Sequence, residues 1–594
     1  MLSTLLVLVL SAVQRLAAPA PPAPQTVLGP VVAGSAGAAG TAGAAVSALR
    51  ADLERLVGSA HWRGDRWSVM VVSLDRGDTL FAHDADVALA PASNMKLFTS
   101  AAALYYLGPS FRYSTFLMSS GPIEGGTLRG DLVLYGTGDP TLSDRFYDTK
   151  LTVLEEFADS LAALGVTAVA GDVVGDASYF WGGPPTGLGW DESYMNTWYA
   201  APASALAFNE NIVTLYIRPA ERPGWRPEVR LIPGGEGIAL VNQATTVAGG
   251  RTRIYADRAA YDGPIVLRGQ INVGSSGAWR PVPVMDPARF AAAVLREVLE
   301  SRGIRVLGGF RSVHRPEDSL VSGRSSFAPA FDDRTRVRVL AVHRSPSLVR
   351  ILEVVNKKSH NLFAEQVLRT VGRVALGEGS VQGGFRAVRY MLECETGLDS
   401  VALRMVDGSG LSRLNHVTAR TVVELLSFMA ASPVWASYWQ TLPEAGNAHG
   451  LRRMYRTAAA GNLRAKTGTI DHVSALSGYV RARNGERLAF SIISNRVPST
   501  PRAKRIEDAI GARLAAFDRP AVRVAGGGVP TAPVEPVVAT TPAPPAAPDV
   551  YIIRRGDTLE EIARRHGTTV AALEAANPGI EPRRLIPGRE ILLP

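Results

Sequence analysis

A stretch of low-complexity sequence, residues 526–548, constrains this chain more than any other feature, because it is rich in Pro, Ala and Val and nearly uncharged. Such a composition cannot bury enough apolar surface to fold, and its proline content favours a partly extended linker. We therefore predict a linker over 519–548 that joins a large body to a small module at 549–594.

The N-terminus carries a short apolar run, Leu5–Val13, followed by small alanine residues. The run is too short to cross the roughly 30 Å hydrocarbon core of a bilayer, so we predict a signal peptide over 1–20, an exported protein and no stable membrane span. The signal departs from the usual pattern because no Lys or Arg precedes the run. The Ala/Gly/Pro-rich residues 21–45 are expected to be unstructured.

The charged and metal-binding residue types exclude several classes of partner. The formal net charge is +9, but the basic residues are spread along the chain, so no nucleic-acid partner is expected. The single cysteine, Cys394, rules out an intrachain disulfide and a four-thiolate zinc site, and its helical context predicts a small buried residue. The 9 histidines lack metal-ligand spacing, so no cofactor is expected.

The main body shows the pattern of a sheet flanked by helices, which makes it an α+β fold. It opens with a helical pattern near Val46–Val57 and an apolar strand pattern, Trp67–Leu74. It closes with strand patterns at 474–483 and 487–495, joined by the hairpin signal Asn484-Gly485. A last helix follows, for which we expect Thr500 as the N-cap and Pro501 at the first helical position.

The middle of the body differs from its two ends. Residues 125–335 are punctuated by Gly and Pro and contain short strand patterns, which indicates a β-rich insertion of one or two domains. The core is therefore predicted to be formed by two separate segments, 46–124 and 336–518.

The first chemical motif is Ser93-Asn94-Met95-Lys96, which opens a helical pattern that ends at Gly108. The spacing places Lys96 one helical turn from Ser93 on the same face. A serine hydroxyl becomes a good nucleophile when a nearby base takes its proton, and a lysine can do so only when burial or a neighbouring positive charge keeps it neutral. Taken alone, the motif is more often an N-cap serine with an exposed lysine.

The second motif is Ser359-His360-Asn361, at the start of another helical pattern. Its hydroxyl could pass a proton to a leaving amine, and its carboxamide could hold a backbone amide of a substrate. Taken alone, the motif is better explained as an N-cap pair.

The third motif is Lys466-Thr467-Gly468-Thr469, directly before the predicted hairpin. We expect Lys466 to attract a carboxylate and to help keep Lys96 neutral, and Gly468 to let a substrate backbone approach the strand closely. An exposed edge strand with a lysine is the alternative for this motif alone.

Together and in this order, the three motifs resemble the signature of serine β-lactamases and penicillin-binding proteins. Ser359 follows Ser93 by 266 residues (359 − 93), a gap similar to that of the class C penicillin-binding proteins, the D-alanyl-D-alanine carboxypeptidase/endopeptidase family. The resemblance covers about 47–518 and includes Pro91–Lys96, Gly136–Leu142, Ala201–Leu206, Asn356–Leu362, Asp407–Arg413 and Arg464–Thr469. It implies a serine β-lactamase/DD-peptidase-like domain that carries a large insertion.

The resemblance also implies a reaction and a set of roles. The enzyme would cleave peptidoglycan stem peptides through an acyl-enzyme on Ser93, with Lys96 accepting the proton, Ser359 returning it, and β-lactam antibiotics acting as covalent inhibitors. The oxyanion would lie between the backbone N–H groups of Ser93 and Thr469. Substrate contacts would come from Asn361, Lys466, Thr467, Gly468, Thr469 and Arg413.

The module at 549–594 resembles LysM, a peptidoglycan-binding domain, through stretches such as Tyr551–Leu559 and Leu585–Gly588. Its pattern predicts the order strand, helix, helix, strand. The resemblance implies that it binds glycan, and that the protein resides in the periplasm or at the cell wall. We expect the contacts to come from Gly556, Asp557, Thr558, Asn577 and Pro578.

Two alternative functions remain open at this point. A β-lactamase would need a second base, and Glu395 stands in a near match to the E-x-x-L-N motif, with Asp399 where Asn is usual. Gly397 is better explained as the end of a helix. The other alternative is an inactive wall-binding scaffold, against which the intact motif residues argue.

Overall fold

The computed structural model describes residues 36–59, 64–182, 186–321, 337–397, 403–520, 550–552, 558–566, 568–577 and 590–592. The chain divides into two compact units, 1–522 and 523–594. The predicted signal peptide lies outside the described residues, as does nearly all of the predicted linker. Among the described residues, no helix combines the length and apolar character needed to cross a membrane.

The helices of the first unit include five consecutive ones between residues 348 and 441. In chain order they are α1 (Ala36–Gly58), α2 (Met95–Leu107), α3 (Thr152–Ala163), α4 (Pro287–Ser301), α5 (Leu348–Lys357), α6 (Asn361–Leu376), α7 (Val381–Thr396), α8 (Ala419–Ala431), α9 (Trp435–Thr441) and α10 (Thr500–Ala515), followed in the second unit by α11 (Leu559–Arg565) and α12 (Val570–Ala576).

The strands are mostly short. They are β1 (Arg66–Ser73), β2 (Thr79–His83), β3 (Ser114–Ser119), β4 (Ile123–Glu124), β5 (Thr127–Leu128), β6 (Leu132–Gly136), β7 (Ala168–Val169), β8 (Val173–Asp176), β9 (Ile212–Arg218), β10 (Glu228–Ile232), β11 (Leu240–Asn242), β12 (Thr245–Val247), β13 (Arg253–Asp257), β14 (Ile265–Asn272), β15 (Ala278–Pro283), β16 (Arg305–Val306), β17 (Phe310–Val313), β18 (Arg338–Arg344), β19 (Arg464–Ile470), β20 (Val473–Arg481), β21 (Arg487–Asn495), β22 (Val550–Ile552) and β23 (Glu590–Leu592).

An antiparallel sheet of order β19-β20-β21-β1-β2 forms the centre of the core. Successive side chains of a strand point to opposite faces, and here both faces are buried. Leu476 and Val480 of β20 pack with α1 and α10, whereas Ala475 and Tyr479 pack with α2 and α5–α9. The core therefore has three layers, which confirms the predicted α+β class.

Most of the elements predicted for the core are present, with corrections at the ends. The hairpin β20–β21 forms at Asn484-Gly485 as expected. The N-cap of α10 is Ser499, one residue before the predicted Thr500. The first helix begins at Ala36, inside the segment 21–45 that we expected to be unstructured; its alanine residues have the highest helix propensity.

Cys394 corrects another expectation, because its side chain is exposed. It lies near the end of α7, whose buried residues include Met391 and Leu392. The apolar pattern identified the helix, but Cys394 falls on its outer side. Gly397 ends α7 with φ +67°, in the left-handed conformation expected of a helix end.

The insertion is built from several small sheets around one apolar cluster that spans 116–337. Its main sheet has the order β17-β8-β6-β3-β18. Both β3 and β18 lie outside the predicted limits of 125 and 335, yet they pair with each other in this sheet. The sheet thus extends one strand beyond each predicted limit. The limits were placed from the Gly and Pro content, which does not show that β3 and β18 pair with each other.

The second unit has the predicted order of strand, helix, helix, strand. The strands β22 and β23 pair antiparallel, and Thr558 and Thr569 cap α11 and α12 by accepting backbone N–H bonds. Among the described residues of this unit, the buried apolar side chains are Leu559, Ile562, Ala563 and Leu573.

Candidate active site

The turn that carries Ser93 is a short 3-10 segment, Ala92–Asn94, which leads directly into α2. The backbone of Ala92 has φ +47°, a conformation that L-residues rarely adopt. The buried Asn94 amide donates to Ser477 Oγ at 2.8 Å and so ties the turn to β20. Gly410 packs against the same turn, where an added Cβ would lie 1.8 Å from the Ala92 carbonyl oxygen.

Lys96 is completely buried beside the half-buried Ser93 hydroxyl. Its Nζ atom donates to Ser93 Oγ at 3.1 Å, to Asn361 Oδ1 at 2.7 Å and to the carbonyl oxygen of Ser409 at 2.6 Å. These acceptors account for the three donor positions of an ammonium group, and a neutral amine would keep two donors and a lone pair. The geometry places a nitrogen base within reach of the serine proton.

Burial lowers the pKa of Lys96 to about 7, because the charged ammonium loses its hydration, while the nearby carboxylates of Asp407 and Glu365 act in the opposite direction. The sequence predicted a neutral Lys96 and attributed this in part to Lys466. Burial is thus the main cause for Lys96. The two lysines also interact, since burial first and then the charge of Lys96 lower the pKa of Lys466, and a repulsion between two charges acts on both of them.

Two buried carboxylates, to which the sequence analysis gave no role, hold the loop beneath Lys96. Glu365 Oε1 accepts the backbone N–H groups of Gly408 and Ser409, both at 2.9 Å, and its other oxygen pairs with Arg369. This arrangement fixes the Ser409 carbonyl that accepts from Lys96. The signal in the sequence was a lone acidic residue within the apolar pattern of α6.

Asp407 occupies the same loop and is fully buried. It accepts the backbone N–H groups of Gly410 and Ser412 at 2.6 and 2.7 Å. The side chains of Asn415 and Trp190 each donate to it at 2.9 Å. With four donors, the buried carboxylate is well satisfied, as a charge removed from water requires.

The second motif lies at the start of α6. Ser359 has φ +56°, again in the left-handed region, and its hydroxyl accepts from Lys466 Nζ at 2.9 Å. The carboxamide of Asn361 joins two parts of the site, because its Oδ1 accepts from Lys96 and its Nδ2 donates to the Tyr199 carbonyl at 2.9 Å. The structure therefore brings the first and second motifs together through one side chain.

The third motif forms the edge strand β19. Lys466 is buried, whereas Thr467 is half-buried and Thr469 is exposed. An added Cβ at Gly468 would lie 2.5 Å from the Pro91 carbonyl oxygen. The glycine therefore also lets the nucleophile turn approach β19, which is a packing requirement of the protein itself.

Arg413 stands apart from these groups. Its side chain is half exposed, and its Nη2 lies 3.8 Å from Asp471 Oδ2 on the surface. Among the hydrogen bonds of the described residues, none joins Arg413 to the three motifs.

Two of the predicted glycan contacts lie among the described residues of the second unit. Thr558 caps a helix, and Asn577 donates to the Leu573 carbonyl at 2.8 Å. The other predicted glycan contacts, Gly556, Asp557 and Pro578, lie outside the described residues.

Comparison with known proteins assigns this arrangement to a family. Residues 49–517 match the D-Ala-D-Ala carboxypeptidase 3 (S13) family, and residues 551–594 match the LysM domain. The chain belongs to the S13 family of D-Ala-D-Ala carboxypeptidases. The resemblance stated from the motifs is thereby confirmed, and this S13 carboxypeptidase is a serine-type D-alanyl-D-alanine peptidase.

Individual relatives agree with the family. The chain is 36% identical to the D-alanyl-D-alanine carboxypeptidase of Actinomadura sp. (strain R39) over 512 residues, which is 83% of this chain and 88% of that protein. It is 25% identical to the D-alanyl-D-alanine carboxypeptidase DacB of Haemophilus influenzae, over 72% of this chain and 85% of the relative. The crystal structure of penicillin binding protein 4 from Haemophilus influenzae shares the fold, with a TM-score of 0.64 and 23% identity over 78% of this chain and 97% of that one.

Proposed function

We propose that this enzyme cleaves the D-Ala-D-Ala bond of peptidoglycan stem peptides through an acyl-enzyme on Ser93. The observation that carries the proposal is the contact between Ser93 Oγ and the fully buried Lys96 Nζ at 3.1 Å. A lysine whose pKa lies near 7 is a competent base at neutral pH, because much of it is unprotonated.

The reaction proceeds in two steps. Ser93 Oγ attacks the carbonyl carbon between the two D-alanines, and its proton passes to Lys96 Nζ. The backbone N–H groups of Ser93 and Thr469 stabilise the oxyanion. The C–N bond then breaks, and the proton that Lys96 took from Ser93 is returned through Ser359 to the leaving D-alanine amine, which leaves Lys96 neutral again. Water hydrolyses the ester in the second step, which releases the shortened peptide and restores the hydroxyl of Ser93.

The substrate carboxylate is the partner we propose for Lys466. This side chain is buried and already donates to Ser359, so its amino group is held in place for an arriving carboxylate. Binding of an anion there would favour the charged form of Lys466, whose pKa burial lowers in the free protein. Thr467, Gly468 and Thr469 present the edge strand β19 along which the peptide would lie.

A fluorescent penicillin tests the chemistry. We expect the full chain to form a stable covalent adduct at Ser93, located by peptide mass spectrometry, and Ser93→Ala to remain folded but unlabelled. Labelling of any other residue would contradict the assignment. Rapid release of the label would instead favour a β-lactamase, and release of D-alanine from a D-Ala-D-Ala peptide separates the two activities directly.

We propose that the second unit anchors the enzyme to the glycan of peptidoglycan, which also places the exported protein at the wall. The match to LysM over 551–594 supports this proposal. Thr558 and Asn577 are the described residues to which we assign sugar contacts, both next to helix ends where short polar side chains and backbone groups are accessible. A tethered enzyme would meet a raised local concentration of stem peptides.

Deletion of 526–594 tests the anchor. The shortened chain should hydrolyse small soluble D-Ala-D-Ala peptides at the rate of the full chain, but sediment less with insoluble sacculi. Equal sedimentation of both proteins would show that the second unit does not provide the tether.

A further inference from the structure

A left-handed turn in the insertion stands out from the rest of the backbone. Asn209, Glu210 and Asn211 are three successive non-glycine residues with φ of +49°, +55° and +56°. Asparagine tolerates this conformation because its short side chain bonds locally, but glutamate gains no such compensation. Strained backbone of this kind persists only where the surrounding structure fixes it, and it concentrates at functional sites.

The two asparagines hold the turn in place. Asn211 is fully buried, accepts the Phe208 backbone N–H at 3.2 Å and donates to the Pro202 carbonyl at 2.8 Å. Asn209 donates to the Ile212 carbonyl at 2.6 Å and accepts from Lys150 at 3.0 Å. These bonds fix the backbone on both sides of Glu210 and leave its side chain to point elsewhere.

The carboxylate of Glu210 meets two partners. Arg145 donates to both of its oxygens, at 2.5 and 3.1 Å, and His360 Nε2 lies 2.9 Å from Oε2. Burial alone would raise the pKa of Glu210, but the bonds from His360 and Arg145 outweigh it and lower the pKa to about 2. The group is therefore a carboxylate at neutral pH.

His360 is the middle residue of the second motif, between Ser359 and Asn361. Its side chain is 5% exposed and its ring lies 4.4 Å from the ring of Phe363, so it has little freedom to move. Ser359 accepts from Lys466 and Asn361 accepts from Lys96, so a shift of this short segment would disturb the contacts of both lysines. The segment itself is strained, since Ser359 has φ +56°.

We propose that Glu210 is a positioning residue for acylation, which acts through His360 to hold the segment Ser359–Asn361 in its strained, catalytically competent position. The insertion thereby contributes to the chemistry of the core, although Glu210 contacts no reacting atom. This inference rests on the proposed function, since it concerns the acylation of Ser93. A positioning role differs from a general stabilising role. In the latter, the loss of Glu210 would lower the stability of the protein and leave the acylation rate of the folded enzyme unchanged.

A double-mutant cycle on the full chain distinguishes these roles. The limiting acylation rate and the half-saturating concentration of a fluorescent penicillin are measured for the wild type, Glu210→Ala, His360→Ala and the double variant. We expect each single variant to acylate about tenfold more slowly, with the half-saturating concentration little changed, and the double variant to be no slower than the slower single variant. Such non-additivity is the signature of two residues that act as a unit.

Two further variants serve as controls. Glu210→Gln keeps an oxygen acceptor for His360 Nε2 and should retain most of the wild-type rate. Asp131→Asn removes a comparable carboxylate of the insertion, which pairs with Arg311 at 2.8 Å and lies in no contact with the three motifs, and should acylate normally.

The outcomes separate the hypotheses. Wild-type rates in folded Glu210→Ala, or losses that multiply in the double variant, would overturn the positioning role. If Glu210→Ala does not fold, His360→Ala decides, because full-rate acylation by that variant would equally overturn it. A wild type that penicillin does not label at Ser93 would instead overturn the proposed function itself.

Discussion

The Ser93–Lys96 turn and the Ser359–Asn361 segment both begin a helix and both carry reactive polar groups, yet they are supported in different ways. The first is fixed by the core: Asn94 bonds to β20, and Gly410 and Gly468 pack against the backbone of residues 91–92. The second depends on the insertion, through Glu210 beside His360 and the Tyr199 carbonyl beside Asn361.

This difference shows how one active site combines two kinds of support. A helical turn sets the Ser93–Lys96 spacing locally, and the strained residue before it, Ala92 (φ +47°), is held by close packing within the core. The Ser359–Asn361 segment has a strained backbone that local preferences oppose, so distant contacts must hold it. We therefore expect changes near the first turn to act through burial and close packing, and changes near the second segment to act through contacts across the insertion.

The largest effect should come from Lys96→Arg. A guanidinium cannot release its proton to act as a base, and the fully buried pocket has no room for the larger group without movement. We expect acylation by penicillin to fall on the order of 10³-fold, within the range ascribed to general base catalysis. Near wild-type labelling would exclude Lys96 as the base. Burial of the Ser93–Lys96 turn would then have no part in acylation, and the comparison with the Ser359–Asn361 segment would lose its meaning.

Gly410→Ala should come next, because its Cβ would meet the Ala92 carbonyl at 1.8 Å. Gly461→Ala is a matched control, since Gly461 also has positive φ (+70°, against +80° for Gly410) but no atom within 4 Å of the added Cβ. We expect Gly410→Ala to lose about 2 kcal/mol more stability than the control in urea denaturation, as overpacking does. Equal losses would show that the nucleophile turn is not held by close packing.

The pH dependence of acylation sharpens the role of burial. Lys96 accepts a proton only when neutral, and its pKa is lowered to about 7, so the reactive form is lost as the pH falls through that value. The rate constant for acylation should be flat above about pH 8 and should fall about tenfold per pH unit below about 6. A profile that stays flat down to pH 5 would contradict this, and the profile of Glu210→Gln should keep the wild-type midpoint.

Trp190→Phe should have the smallest effect. It removes one donor, at 2.9 Å, from Asp407, which keeps three others from its own loop. We expect a loss of about 1 kcal/mol in stability and a change of only a few-fold in acylation. If Trp190→Phe slowed acylation as much as we expect of Glu210→Ala, the first turn would also depend on the insertion. The comparison between the two segments would then fail.

Much of the fold could be predicted from the sequence where the signal is local. The Asn484-Gly485 hairpin, the helix that follows Ser93 and the four-element order of the second unit all rest on short-range patterns, and the structure confirms them. The ends of the insertion could not be predicted, because β3 and β18 are joined by pairing across more than 200 residues (338 − 119 = 219).

The candidate site divides in the same way. Residues of the three motifs were found from their spacing, but their surroundings were not. Glu365 and Asp407 were missed as the carboxylates that shape the Lys96 pocket, and the close packing of Gly468 against Pro91 was not foreseen. The substrate roles of Gly468 and Arg413 stay predictions. Spacing identifies residue types, whereas contacts between distant segments depend on packing.

The sequence by itself determined that a serine and a lysine share one helical turn, because they stand three residues apart at the start of a helical pattern and an α-helix repeats every 3.6 residues. Only the tertiary structure decided that this lysine is dry enough for its pKa to fall to about 7, since burial depends on helices and strands from the whole core closing over it. The contact of Glu210 with His360 is of the same kind. It joins residues 150 positions apart through a backbone turn that local preferences oppose, so no pattern in the sequence could have shown it.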